Sequence, residues 1–157
     1  MILFREYDDL TDTLLHLKIQ VQDSIQYALS HVPDVSSPGE LFDWLKERTT
    51  YKSDPKHTDG EPVELLMTMQ TMMKGSRTGI PGAGDCDDFT ITSLASLIAA
   101  GFKDVYVILV GRSRSHPVHI YAGVKQSGRI VPFDLTNQQY GVERTNYKYK
   151  QILPFGI

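Results

Sequence analysis

Cysteine is nearly absent from this chain: Cys86 is the only one in 157 residues. A lone thiol forms no internal disulfide, which fits a reducing compartment and excludes the small disulfide-stapled scaffolds. An excess of one charge sign is lacking too. With 16 Lys and Arg against 19 Asp and Glu, the formal net charge is −3, so no global field points to nucleic acid or to an acidic membrane as partner. Long apolar runs are missing as well. The longest, Val105–Val110, falls far short of a bilayer span. The start, MILFREYDD, has no basic segment followed by an apolar stretch, so no signal peptide is expected and a cytoplasmic location is. No repeat or low-complexity tract breaks the chain. At 41% hydrophobic and 22% charged residues, the composition is that of one globular domain with a proper core.

What is present divides into a helical first part and a β-rich last part. Leu10, Leu14, Leu17, Val21, Ile25 and Leu29 recur at three- and four-residue steps, which predicts an amphipathic helix from about Asp8 to His31. Its stripe covers a core or serves an oligomer seam. Ser37-Pro38-Gly39-Glu40 is a capping box with proline at the first helical position. It opens a short helix with Leu41, Phe42, Trp44 and Leu45 on its apolar face, ending near Arg48. Thr49 to Pro62 reads as a polar connection in which Tyr51, Asp54 and His57 are placed to line a cleft or a plain surface loop. Pro62 then starts a methionine-rich helix that Gly75 ends.

The stretch with most chemical content is Gly84-Asp85-Cys86-Asp87-Asp88-Phe89. Glycine and proline precede it (Gly79, Pro81, Gly82), and a helix apolar around much of its circumference follows, to Gly101. Asp85 is a suitable N-cap, which puts Cys86 in the first turn of a central, buried helix. There, backbone N–H groups and the helix dipole favour a thiolate. The neighbouring aspartates act the other way, since negative charge raises a thiol pKa. A cysteine here is either a nucleophile or a small core residue; its place after a glycine-rich turn favours the nucleophile.

A cysteine nucleophile needs a base, and the base needs a group that orients it. Val105–Val110 is a strand, and Val118 to Val124 alternates with His119 and Tyr121 on one face and Val118, Ile120, Ala122 and Val124 on the other. Arg129 to Asp134 is the return strand. A two-residue loop at Gln126-Ser127 sets His119 opposite Asp134, and one at Ser127-Gly128 makes them diagonal neighbours on one face; a three-residue loop breaks the relation. The face of His119 is expected to meet the start of the cysteine helix. His116 is a rival base, but His119 has a strand to hold it. The backbone N–H of Cys86 is a natural oxyanion donor, with Gln70 as a second donor on residue type alone. The tail from Thr136, with Tyr140, Tyr147 and Tyr149, is expected to add a strand or an extended segment to the sheet. The Cys, His and Asp residues lack close metal-ligand spacing, so neither metal nor cofactor is expected.

Taken together, Gly84-Asp85-Cys86-Asp87-Asp88, the strand His119-Ile120-Tyr121 and Pro132-Phe133-Asp134-Leu135-Thr136 resemble the transglutaminase-like superfamily, in the compact form of bacteria and tailed phages. Tyr51-Lys52-Ser53-Asp54-Pro55 and the helix after Pro62 match segments that precede the cysteine motif there. The match covers Tyr51 to Thr136, which leaves 1–48 as a helical extension to a core of 49–157 within one domain, 1–157. Two departures are Met69-Gln70, where that family often has Ser-Pro, and a longer loop from Ser76 to Ala83. The resemblance implies an α+β fold with a papain-like core: N-terminal helices and a central cysteine-bearing helix packed on an antiparallel sheet. It implies Cys86 as nucleophile, His119 as base and Asp134 as orienter, acting on a protein or peptide substrate. The activity implied is amide hydrolysis or acyl transfer through a Cys86 thioester, with hydrolysis preferred because small members need no amine channel. The alternative is a structural protein, such as a phage virion component, that keeps the fold with little or no activity. Its N-terminal helix and tyrosine-rich tail would then dock other virion proteins or copies of itself.

Overall fold

The computed structural model describes residues 10–53, 66–115, 117–143 and 146–156. The expectations for MILFREYDD, for Asp54 and His57, for the helix start at Pro62 and for His116 lie outside the described residues. Helices precede the sheet: α1 (Leu10–His31), α2 (Pro38–Lys46), α3 (Met69–Lys74) and α4 (Cys86–Ala99) come before β3 (Val105–Gly111), β4 (Pro117–Gln126), β5 (Arg129–Phe133) and β6 (Tyr149–Pro154). These strands form an antiparallel sheet in the order β5-β4-β3-β6. The tail thus supplies an edge strand, one of the two forms expected of it. The fold is α+β, with a central helix against an antiparallel sheet.

α4 is the hub. Every residue from Cys86 to Leu97 is buried, which is why its sequence shows no polar face. Its sheet-side neighbours are Ile120, Ala122 and Val124 of β4 with Val105, Val107 and Leu109 of β3, all in one core cluster. On its other side lie Leu17, Val21 and Ala28 of α1 and Leu41, Phe42 and Leu45 of α2. Burying a leucine or phenylalanine of this kind contributes roughly 1.5–3 kcal/mol, so both N-terminal helices are integral to the core.

α1 follows the expected stripe through Leu14, Leu17 and Val21 and departs from it in its last turns. Leu17, Val21, Ser24 and Ala28 are its buried line, while Leu29 is 55% exposed. Ser24 and Ala28 are small, and that lets another backbone come close. Met69 N–H donates to Ser24 Oγ (2.9 Å), and Ser24 Oγ donates to Gln20 O (2.7 Å). A count of large apolar residues passes over such positions.

Two further differences lie near the cysteine loop. Leu66 to Thr68 is not helical, and α3 begins only at Met69, with Thr68 as its N-cap. Met67 N–H donates instead to Asp88 Oδ1 (3.0 Å). A parallel two-residue pair, β1 (Thr50–Tyr51) and β2 (Ala83–Gly84), was not legible in the sequence. Gly82 sits beside it at φ 80°, where a Cβ would lie 1.9 Å from Arg48 O. Only glycine fits that crossing.

Candidate active site

Cys86 is fixed from three directions. Asp85 caps α4 by accepting from the N–H groups of Asp87 (3.1 Å) and Asp88 (3.3 Å). Asp88 closes the capping box through Asp85 N–H on Oδ2 (3.1 Å) and holds Met67 N–H on Oδ1. Thr90 Oγ1 then donates to Cys86 O (2.7 Å) and lies 3.4 Å from Ile120 O, tying the first turn of α4 to β4. Gly84 permits this junction, since a Cβ there would meet Met72 Sδ at 2.7 Å and Asp88 Cβ at 2.8 Å. Asp85, Asp87 and Asp88 are all at most 1% exposed.

The thiol is buried too, at 1% exposure. Burial pushes its pKa up, the nearby charges of Asp87 and Asp85 push it further, and it reaches about 12; the backbone N–H of Ile120 acts the other way. The expected lowering at a helix start is therefore overturned in this conformation. Desolvation and two carboxylates outweigh the dipole, and Cys86 stands as a neutral thiol at neutral pH.

His119 and Asp134 are brought together. The β-hairpin turns through Ser127 (φ 54°) and Gly128 (φ 77°), with Gln126 paired to Arg129. That is the two-residue turn with positive φ at both positions, and it selects the diagonal arrangement. His119 Nε2 donates to Asp134 Oδ2 at 2.8 Å, with side chains only 8% and 2% exposed. The carboxylate acceptor assigns the proton to Nε2 and leaves the Nδ1 lone pair to accept one. Asp134 Oδ1 in turn accepts from Thr136 N–H (3.0 Å) and Thr136 Oγ1 (2.7 Å). Tyr121 stacks on the imidazole, centroids 5.4 Å apart.

Cys86 meets this pair indirectly. α4 packs on the Ile120 face of β4, not on the His119 face as the alternation suggested. Tyr121 belongs with Ile108 and Val110 in a separate small cluster. The thiol reaches β4 at the backbone of Ile120, the residue after His119. Among the described residues no hydrogen bond joins Cys86 to His119.

Gln70 Nε2 donates to Asp23 O (3.0 Å), so it ties α3 to α1 and does not face the thiol as a second oxyanion donor. Trp44 lines a separate cavity of about 520 Å³ with Tyr27, Met69, Met73 and Pro81, as a groove-wall residue. The sequence reading missed Lys46. Its Nζ donates to Leu135 O (2.7 Å), beside Asp134; nothing in a last-turn lysine signals a contact 89 positions away. Among the described residues no group of His, Cys, Asp and Glu is arranged to hold a metal ion, and no helix is long and apolar enough to cross a membrane.

No protein-family model and no curated protein matches the sequence. Solved structures do match in fold. LapG of Legionella pneumophila, in EGTA-treated form, aligns over 90% of this chain and 78% of its own, with TM-score 0.53 and 11% identity. A protein of Cytophaga hutchinsonii, proposed to be a cysteine protease, aligns over 83% of this chain with TM-score 0.51 and 15% identity. This chain spans 44% of that protein. The shared fold is transglutaminase-like.

Proposed function

We propose that this protein is a cysteine-dependent amide hydrolase or acyl transferase in which Cys86 is the nucleophile, His119 the base and Asp134 the group that orients it. The observation that carries this reading is the buried 2.8 Å contact of His119 Nε2 with Asp134 Oδ2, one residue along β4 from the backbone that faces the Cys86 thiol. A polar pair this buried is costly unless its geometry is exact enough to repay desolvation, and a base with a fixed tautomer is what thiol activation requires. The transglutaminase-like fold supports the same chemistry.

In the reaction, Nδ1 of His119 takes the thiol proton as sulfur attacks the substrate carbonyl. The N–H of Cys86 faces the developing oxyanion. The protonated imidazole then gives its proton to the leaving amine, and a thioester remains. Water completes a hydrolysis; a second amine completes a transfer. The substrate is a protein or peptide, and its arrival must bring the thiol and the imidazole together, since they are not bonded in the described conformation. An entering substrate that displaces solvent and neighbouring side chains supplies such a step.

One observation favours the other reading, a structural module such as a virion component: the thiol is almost fully covered and strongly protonated. Alkylation by iodoacetamide across a pH series separates the two. Iodoacetamide, like a substrate, reaches the thiol only in the opened conformation in which Nδ1 of His119 meets it, so the enzyme reading expects Cys86 to react faster than a free model thiol at neutral pH and His119→Ala to remove the excess. Labelling no faster than the model thiol, unchanged in His119→Ala, leaves the structural module. If labelling is fast, amine incorporation compared with peptide cleavage decides between transfer and hydrolysis.

A further inference from the structure

α2 lies outside the segment that carries the sequence motifs, yet it grips the strand end that carries Asp134. Phe42 and Lys46 are four residues apart, so they share one face of the helix. Phe42 packs edge-on against Phe133 at 5.3 Å. Lys46 Nζ donates to Leu135 O at 2.7 Å. Phe133 and Leu135 flank Asp134, and both point into the core while Asp134 alternates away. One helix face therefore clamps the residue on either side of the carboxylate.

From this geometry we propose that Lys46 is a positioning residue of the site: it tethers the Asp134 turn and so keeps the carboxylate on His119 Nε2. This rests on the proposed role of His119 and Asp134. A lysine in the last turn of a helix ordinarily serves the helix dipole from solvent. Lys46 instead extends across to another element and is part-buried there. Burial lowers its pKa, and Asp134 offsets that loss, so the two charges sense each other. Titratable groups near the pair include Tyr140, packed on both Phe42 and Phe133, Tyr121 on the imidazole and, through the Ile120 backbone, Cys86 with Asp85 and Asp87.

The test compares Lys46→Met and Lys46→Arg in the full chain. Two quantities are read: the downfield proton resonance of the His119 Nε2–H bonded to a carboxylate, and the pH profile of Cys86 alkylation. Lys46→Met is expected to lose or broaden the resonance and to slow alkylation at neutral pH roughly tenfold to a hundredfold, while Lys46→Arg keeps both. A Lys46→Met protein with the wild-type resonance and profile overturns the proposal, as does a Lys46→Arg protein as impaired as Lys46→Met. If Lys46→Met does not melt cooperatively, Lys46→Arg alone decides: a retained resonance supports the tether and a lost one overturns it. The resonance does not depend on thiol chemistry. If His119→Ala leaves alkylation unchanged, the enzyme reading fails while the tether is still judged on the resonance.

Discussion

Two sets of buried aspartates lie close together in this protein and do different things. Asp85 and Asp88 turn onto backbone N–H groups of their own loop and of Met67. Asp134 puts one oxygen on an imidazole and the other on the N–H and hydroxyl of Thr136. Burial is alike in the two, and so is residue type. The partner differs. A carboxylate that satisfies local amides fixes a chain junction. One held against a histidine fixes a tautomer. Burial of an acid is therefore poor evidence of chemistry until its acceptor geometry is known.

Four measurements bear on that contrast. The largest stability effect is expected at Asp88, where Ala leaves two buried N–H groups unpaired. Denaturant unfolding should show a loss of about 3 kcal/mol, and a loss under ~1 kcal/mol would break the structural assignment. At Asp134 the order reverses. Asn should slow Cys86 alkylation by about 10²-fold while moving the unfolding midpoint far less than Asp88→Ala. A midpoint shift as large as that of Asp88→Ala, with alkylation untouched, would place Asp134 with the structural set.

The third concerns pH. The folded thiol titrates near 12 against an ordinary value of 9.0. Below about pH 9 both states keep the proton, and the raised group costs nothing there. As pH rises from about 9 toward 12, the unfolded chain ionises first, and stability falls by about 1.4 kcal/mol per pH unit. Cys86→Ala should remove the thiol's share of that slope and leave the share of Tyr140, whose phenol is also pushed up to about 12 by burial. Equal slopes in wild type and variant would show a thiol less buried than the structure has it. The smallest effect is expected for Asp85→Asn, which keeps an N-cap acceptor and should change stability by under ~0.5 kcal/mol.

Much of this was legible in the residues. The order of helices and strands, the N-cap at Asp85 and the nearness of His119 to Asp134 across a short hairpin follow from local signals: periodicity, capping chemistry and hairpin parity. The turn between β4 and β5 was narrowed to a few alternatives, and only the observed pairing of Gln126 with Arg129 chose among them. The stripe of α1 was read correctly through Leu14, Leu17 and Val21 but not beyond, because Ser24 and Ala28 are invisible to a search for large apolar side chains. The depth of Cys86 was unreadable too. Whether a helix start is wet or dry depends on what the rest of the chain lays over it.

Local signals were enough for the α+β order, the capped start of the cysteine helix and a His119 and Asp134 within reach of one another on one hairpin, because capping, alternation and turn length act over a few residues. Only the tertiary structure decided that α4 lies on the Ile120 face, that its thiol is buried and protonated, and that Lys46 reaches the turn of Asp134. Those outcomes depend on desolvation and on contacts between segments dozens of residues apart, and no local pattern encodes either.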